Sequence, residues 1–106
     1  METKKDYCVY ILELENGKFY TGYTSDIERR YREHQQGTAK SKITRSFKPL
    51  KIAQKWNLNC TKGMALKIEN LIKKQSRKTK EKLVNNPEEL KTLALDIEGA
   101  SLIFVD

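Results

Sequence analysis

Arg30 and His34, the chain's sole histidine, stand one helical turn apart in the segment SDIERRYREHQQG. At about 100° per residue they fall beside Ile27 and Tyr31, the side that faces a core, while Arg29 and Arg32 point elsewhere. A guanidinium and an imidazole so placed form a compact pair of donors able to grip one phosphate. Two other uses stay open: a snorkelling Arg30, and a His34 that caps a nearby carbonyl. Glu69 is the one carboxylate among thirteen Lys and Arg residues between Glu33 and Glu81. A lone carboxylate in a phosphate-seeking surface repels the ligand unless a divalent cation sits between them, as Mg2+ does when it takes one carboxylate plus substrate oxygens. The competing use is an ion pair with Lys73 at i+4. Tyr10 and Tyr20 gain a chemical role if they share a sheet face near Arg30. A phenol beside a cation and a metal ion can lose its proton to a water network and serve as a general base. Otherwise they are strand formers with the hydroxyl at the rim.

These side chains need elements to position them. Tyr7 to Leu14 (YCVYILEL) and Lys18 to Thr24 (KFYTGYT) are rich in aromatic and β-branched residues and flank Asn16-Gly17, which predicts a β-hairpin because both central turn positions tolerate positive φ. Ser25-Asp-Ile-Glu28 reads as a capping box ahead of a helix from Asp26 to about Gln36, stopped by Gly37. Thr38 to Pro49 (TAKSKITRSFKP) lacks periodicity and reads as an exposed basic loop. Leu50 to Trp56 alternates like a half-buried third strand. A second helix from Thr61 or Lys62 carries Met64, Ala65, Ile68, Leu71 and Ile72 on one stripe, with Glu69 at its border. A shorter helix is expected over Lys78 to Val84. Another starts at Asn86-Pro87-Glu88-Glu89, with Asn as cap and Pro at the first position. Ser101 to Val105 is a candidate last strand.

The chain totals 21 Lys plus Arg against 14 Asp plus Glu, and its charge is uneven. Residues 1–86 hold 20 bases and nine acids, a balance of +11; residues 87–106, with one base and five acids, carry −4. A basic stripe of this kind releases counterions from a phosphate backbone on binding, so nucleic acid is the leading partner class. No apolar run approaches the roughly 18 residues that would span a bilayer, and the N-terminus lacks a signal-peptide core, which points to a cytoplasmic protein without a membrane partner. Cys8 and Cys60 are too far apart in sequence for a metal knuckle and read as buried thiols.

Taken together, the residues resemble the GIY-YIG nuclease superfamily. The first motif is Cys8-Val9-Tyr10 in the context VYIL, and the second is Tyr20-Thr21-Gly22, ten residues from tyrosine to tyrosine. SDIERRYREHQQG matches the family's first helix, its arginine on Arg30 and its histidine on His34. ALKIENLIKK matches the second, its metal-binding glutamate on Glu69. The match runs from about Tyr7 to Val84 and is nearest to the short single-module endonucleases. Two positions depart from the pattern: Cys8 stands where the first glycine of the name motif belongs, and the asparagine that many family members carry downstream of the glutamate has no convincing counterpart here.

The resemblance implies an α/β (α+β) fold, a three-stranded antiparallel sheet flanked by helices. The nuclease-like domain would occupy residues 1–86, with an acidic helical extension over 87–106. It also implies phosphodiester hydrolysis with one divalent cation, Mg2+ or Mn2+, held by Glu69. Tyr10 would take the proton of the attacking water as phenolate or hydrogen-bonded phenol, and Tyr20 would position the water or phosphate. Arg30 would donate to the phosphate, His34 would orient the phosphate or assist the base, and Gly22 would let the strand turn closely into the site. Lys40, Lys42, Arg45 and Lys73 are the expected backbone contacts, with DNA favoured over RNA and with selectivity for structure rather than sequence. The rival reading is a non-catalytic nucleic-acid-binding module or a subunit of a DNA repair or processing complex, its acidic helix docking on a partner or on its own basic face.

Overall fold

The computed structural model describes residues 3–105 and contains, in chain order, β1 (Lys5–Leu14), β2 (Phe19–Thr24), α1 (Ile27–Gln36), α2 (Lys42–Ser46), β3 (Pro49–Cys60), α3 (Lys62–Lys73), α4 (Arg77–Asn85), α5 (Glu89–Leu93) and β4 (Phe104–Val105). Two short 3-10 turns, Ala94–Asp96 and Ala100–Leu102, link α5 to β4. The sheet is antiparallel with order β2-β1-β3-β4. It has four strands where three were expected, because Phe104 and Val105 pair with Leu58 and Asn57 at the edge. β3 reaches Cys60, well past the predicted Trp56, since its last residues pair with the start of β1.

The central position of β1 explains its sequence. Tyr7, Val9 and Ile11 bury into one face, and Cys8, Tyr10, Leu12 and Leu14 into the other, so period-2 geometry yields an unbroken apolar run. On the first face α3 lays down Ala65, Ile68 and Ile72, joined by Leu83 of α4, Leu90 of α5, and Ala94, Ala100 and Ile103 behind them. The acidic tail thus buries apolar residues in the same core as the sheet; Trp56 donates its indole N–H to the Pro87 carbonyl at 2.9 Å. On the second face Ile27 and Tyr31 of α1 and Ile43 of α2 cover β1. Cys8 and Cys60 are buried free thiols. Burial pushes the Cys8 thiol up to about 11.

Local chemistry differs from the sequence reading at several joints. The hairpin turn runs from Leu14 to Gly17, closed by the Gly17 N–H on the Leu14 carbonyl at 2.8 Å, and only Gly17 takes a positive φ (82°). Arg77 clamps this turn: its guanidinium donates to the Gly17 carbonyl at 2.7 Å and lies 3.8 Å over the Phe19 ring. One member of the basic stripe is therefore a structural brace. α1 is capped by Asp26, which accepts from the Arg29 N–H at 3.1 Å, in place of the expected Ser25–Glu28 capping box. The segment read as an exposed loop contains α2, capped by Ser41. Asn86 ends α4 rather than starting α5, which begins at Glu89 with no side-chain cap. The helix expected from Pro87 breaks after Leu93 into 3-10 turns.

Candidate active site

Tyr10 and Gly22 are cross-strand partners in β1 and β2. Gly22 is not a turn residue and has no positive φ. Its importance is that the Tyr10 ring lies directly over it: a Cβ built at Gly22 falls 2.6 Å from the Tyr10 hydroxyl and 2.7 Å from the ring carbon that bears it. Any side chain there would occupy the space the phenol uses.

The phenol ends on His34, its oxygen 2.9 Å from His34 Nε2. His34 is only 1% exposed, and the imidazole is spanned from both ends, because Nδ1 lies 2.9 Å from the hydroxyl of Thr44 on α2. Thr44 in turn donates to the Ser41 carbonyl at 3.3 Å. With its proton committed there, Thr44 Oγ1 accepts from His34, which assigns the proton to Nδ1 and leaves Nε2 as acceptor for the Tyr10 O–H. Burial, reinforced by the Arg30 cation, lowers His34 from 6.5 to about 4, so the ring is neutral at physiological pH. The Tyr20 ring closes the cluster edge-on, 5.1 Å from the imidazole and 6.4 Å from the Tyr10 ring, centroid to centroid.

Arg30 and Glu69 reach the same phenol electrostatically. Burial pushes Tyr10 far above the ordinary tyrosine range; Tyr20 pushes the same way, Arg30 opposes it, and the Glu69 carboxylate raises it further. Tyr10 in the folded chain is thus a hydrogen-bonded phenol, not a standing phenolate. Arg30 holds Nε 3.1 Å from Glu33 Oε1, yet that buried Nε–H has no aligned acceptor among the described residues. Glu69 is 7% exposed on α3 and pairs with Lys73 Nζ at 3.2 Å.

The sequence-predicted residues therefore divide. Tyr10, Tyr20, Arg30, His34 and Glu69 are brought together between α1, α3 and the β1–β2 pair. Lys73 is tied to Glu69, whereas Lys40, Lys42 and Arg45 are exposed on the segment that covers His34, with Lys40 sharing a concavity with Arg30. Thr44, fully buried at the centre of the hydrogen-bond chain, is the residue the sequence reading missed. Its only local signal was a serine three positions ahead, able to cap a helix of five residues, too short to carry a hydrophobic period.

No three His, Cys, Asp or Glu side chains converge as a metal cluster among the described residues. One buried carboxylate, with the remaining coordination left to water and phosphate oxygens, still suits Mg2+ beside a phosphate substrate.

The GIY-YIG catalytic domain family matches residues 6–82. The chain belongs to the GIY-YIG family. A UPF0213 protein of Halalkalibacterium halodurans is 39% identical over 80 residues, covering 76% of this chain and 83% of that one. A UPF0213 protein of Syntrophus aciditrophicus is 41% identical over 87 residues, covering 81% and 98%. The solution NMR structure of a UPF0213 protein from Bacillus halodurans, 37% identical, covers 87% of this chain and 98% of its own, with a TM-score of 0.49. No helix among the described residues is long and apolar enough to cross a membrane.

Proposed function

We propose that this GIY-YIG protein is a metal-dependent endonuclease that hydrolyses phosphodiester bonds, with DNA as the favoured substrate and selection by structure rather than sequence. The observation that carries the reading is the Tyr10–His34–Thr44 hydrogen-bond chain, 2.9 Å at each step, ending where Arg30 and Glu69 both act on the phenol.

The attacking water donates to the Tyr10 oxygen while the Tyr10 proton passes to His34 Nε2, which the Thr44 contact keeps open as an acceptor. Buried as it is, the phenol does not ionise by itself; it transfers a proton only as the water is consumed. Tyr20 limits where that water sits. The Arg30 guanidinium, paired with Glu33 in the free protein, donates to the phosphate oxygens as negative charge builds on them. Held by Glu69, one Mg2+ or Mn2+ would supply Lewis-acid stabilisation of a phosphate oxygen and the departing 3′ oxygen. The exposed cations Lys40, Lys42 and Arg45 hold backbone phosphates on the same side.

The experiment is a panel of labelled single-stranded, duplex, flap and branched DNA with Mg2+, Mn2+ or chelator, for the parent and for Glu69→Gln. Cleavage should require the metal, and Glu69→Gln should bind but lose at least about 10²-fold in rate. One feature favours the rival binding module: Lys73 already neutralises Glu69. Salt-sensitive binding that ignores metal, with no cutting of any substrate, would establish that rival and end the nuclease proposal.

A further inference from the structure

A second concavity of about 270 Å3 opens beside Arg30, at the end of the sheet where β1 begins and β2 ends and where α1 and α3 start. Its rim is cationic: Lys5 on β1, Arg29 and Arg30 on α1, and Lys62 on α3. No carboxylate lines it, and Lys5, Arg29 and Lys62 are exposed without a carboxylate within 4.0 Å among the described residues. Arg30 at the same rim pairs with Glu33, as Lys51, Lys73, Arg77 and Lys91 pair with acids elsewhere, so among the described residues the unpaired cations of the hollow are Lys5, Arg29 and Lys62. Like charges gathered around one hollow repel each other until an anion enters it. The wall is aromatic. Tyr7 and Tyr23 come from adjacent strands with ring centroids 6.0 Å apart, and Lys5 Nζ lies 5.3 Å from the Tyr7 ring. Tyr7 is buried, whereas Tyr23 keeps part of its ring open.

Cations at a rim with an aromatic wall suit a nucleotide: the phosphate meets the charges and the base stacks on the ring. Arg30 is the one member of the catalytic cluster that also lines this hollow. Lys62 also precedes Glu69 by seven residues on α3, two turns, about 10 Å along the same helix face. We propose that this pocket receives the nucleotide next to the scissile phosphate, and receives it unpaired. The hollow is open to solvent, and a base can lay its face on the part-exposed Tyr23 ring only when it has left the stack of a duplex. The substrate class is then a strand that is single-stranded at the point of cutting, such as a flap or an open end. This rests on the nuclease reading above and narrows its substrate.

The test uses the full chain carrying Glu69→Gln, so that nothing is cut, and fluorescence anisotropy with a labelled single-stranded DNA oligonucleotide and a blunt duplex of the same sequence over a salt series. The parent should prefer the single strand. Arg29→Ala with Lys62→Ala should weaken that binding about 10-fold and flatten the slope of log affinity against log salt by about 1.4, as loss of two phosphate contacts to a single strand requires. Tyr23→Leu should cost the single strand roughly 5-fold or more and leave the duplex unchanged. The Arg29/Lys62 pair is exposed, so it tests the pocket even if Tyr23→Leu disturbs folding. Unchanged single-strand affinity and slope in the double variant, or equal affinity of the parent for both probes, overturns the pocket and leaves the nuclease reading standing. A parent that binds neither probe overturns both.

Discussion

Adding one methyl group at Gly22 tests whether the Tyr10 hydroxyl must sit where it does. In Gly22→Ala the new Cβ meets the Tyr10 hydroxyl at 2.6 Å, its bearing carbon at 2.7 Å and Tyr20 Cε2 at 3.2 Å. Carbon contacts relax at about 3.5 Å or more, so the phenol must withdraw by roughly 0.8 to 1 Å. Tyr10 is fully buried against Cys8, Leu12 and Leu14, and such a displacement breaks the 2.9 Å bond to His34. Overpacking costs about 1–3 kcal/mol. A buried hydroxyl left unpaired adds about 1–3 kcal/mol. Together these give a loss of roughly 2–6 kcal/mol, which a domain stabilised by about 5–15 kcal/mol survives over most of that range. Misplacing a reacting group by about 1 Å lowers turnover by about 10²-fold. Urea unfolding reads the first effect, and single-turnover cleavage at saturating enzyme reads the second. Combining Gly22→Ala with Tyr10→Phe should be less than additive in stability, because the closest clash is removed with the hydroxyl. A Gly22→Ala protein with the parental unfolding midpoint and cleavage rate refutes the reasoning.

Thr44→Val removes the acceptor of the His34 Nδ1 proton, and turnover should fall about 10- to 100-fold, as for other groups that orient a reactive ring. Thr44→Ser should restore the rate, and imidazole 15N shifts should show a single Nδ1–H tautomer in the parent and in Thr44→Ser but not in Thr44→Val. An undisturbed tautomer in Thr44→Val would disprove the assigned role. A further prediction concerns pH. Because His34 falls from 6.5 to about 4 on folding, the unfolded chain binds its proton first as the solution is acidified. The stabilising contribution is complete above pH 6.5 and is lost progressively down to pH 4, by about 3 kcal/mol in all. Urea midpoints compared with His34→Gln across that window measure it; parallel curves for the two proteins would show that His34 does not titrate this way.

Period and punctuation made much of the fold legible. The aromatic and β-branched runs around Asn16-Gly17 specify a hairpin because strands alternate and tight turns want glycine, and the observed β1 and β2 follow them. Ile68 and Ile72 lie on the buried side of α3 as their spacing demanded, and Thr61 caps that helix. Features set by distant partners were less legible. β4 is two residues long and exists only through its bonds to β3. Asp26 displaced Ser25 as the cap of α1, a choice between neighbouring oxygens that depends on how the chain leaves β2.

Sequence by itself determined which side chains could do the chemistry and the order in which they occur, because residue type and helical spacing put Arg30 beside His34 and isolated Glu69 among bases. Tertiary structure alone decided what those groups are. It enclosed Tyr10 and His34 tightly enough to keep both neutral, and it passed the phenol over Gly22, which the family resemblance had given the role of turning the strand into the site. It also folded an apparently open basic segment back so that Thr44 fixes a proton on one nitrogen of the imidazole. Burial and hydrogen-bond direction arise from residues far apart in the chain, and they set protonation and tautomer through desolvation and donor–acceptor pairing, which no local pattern encodes.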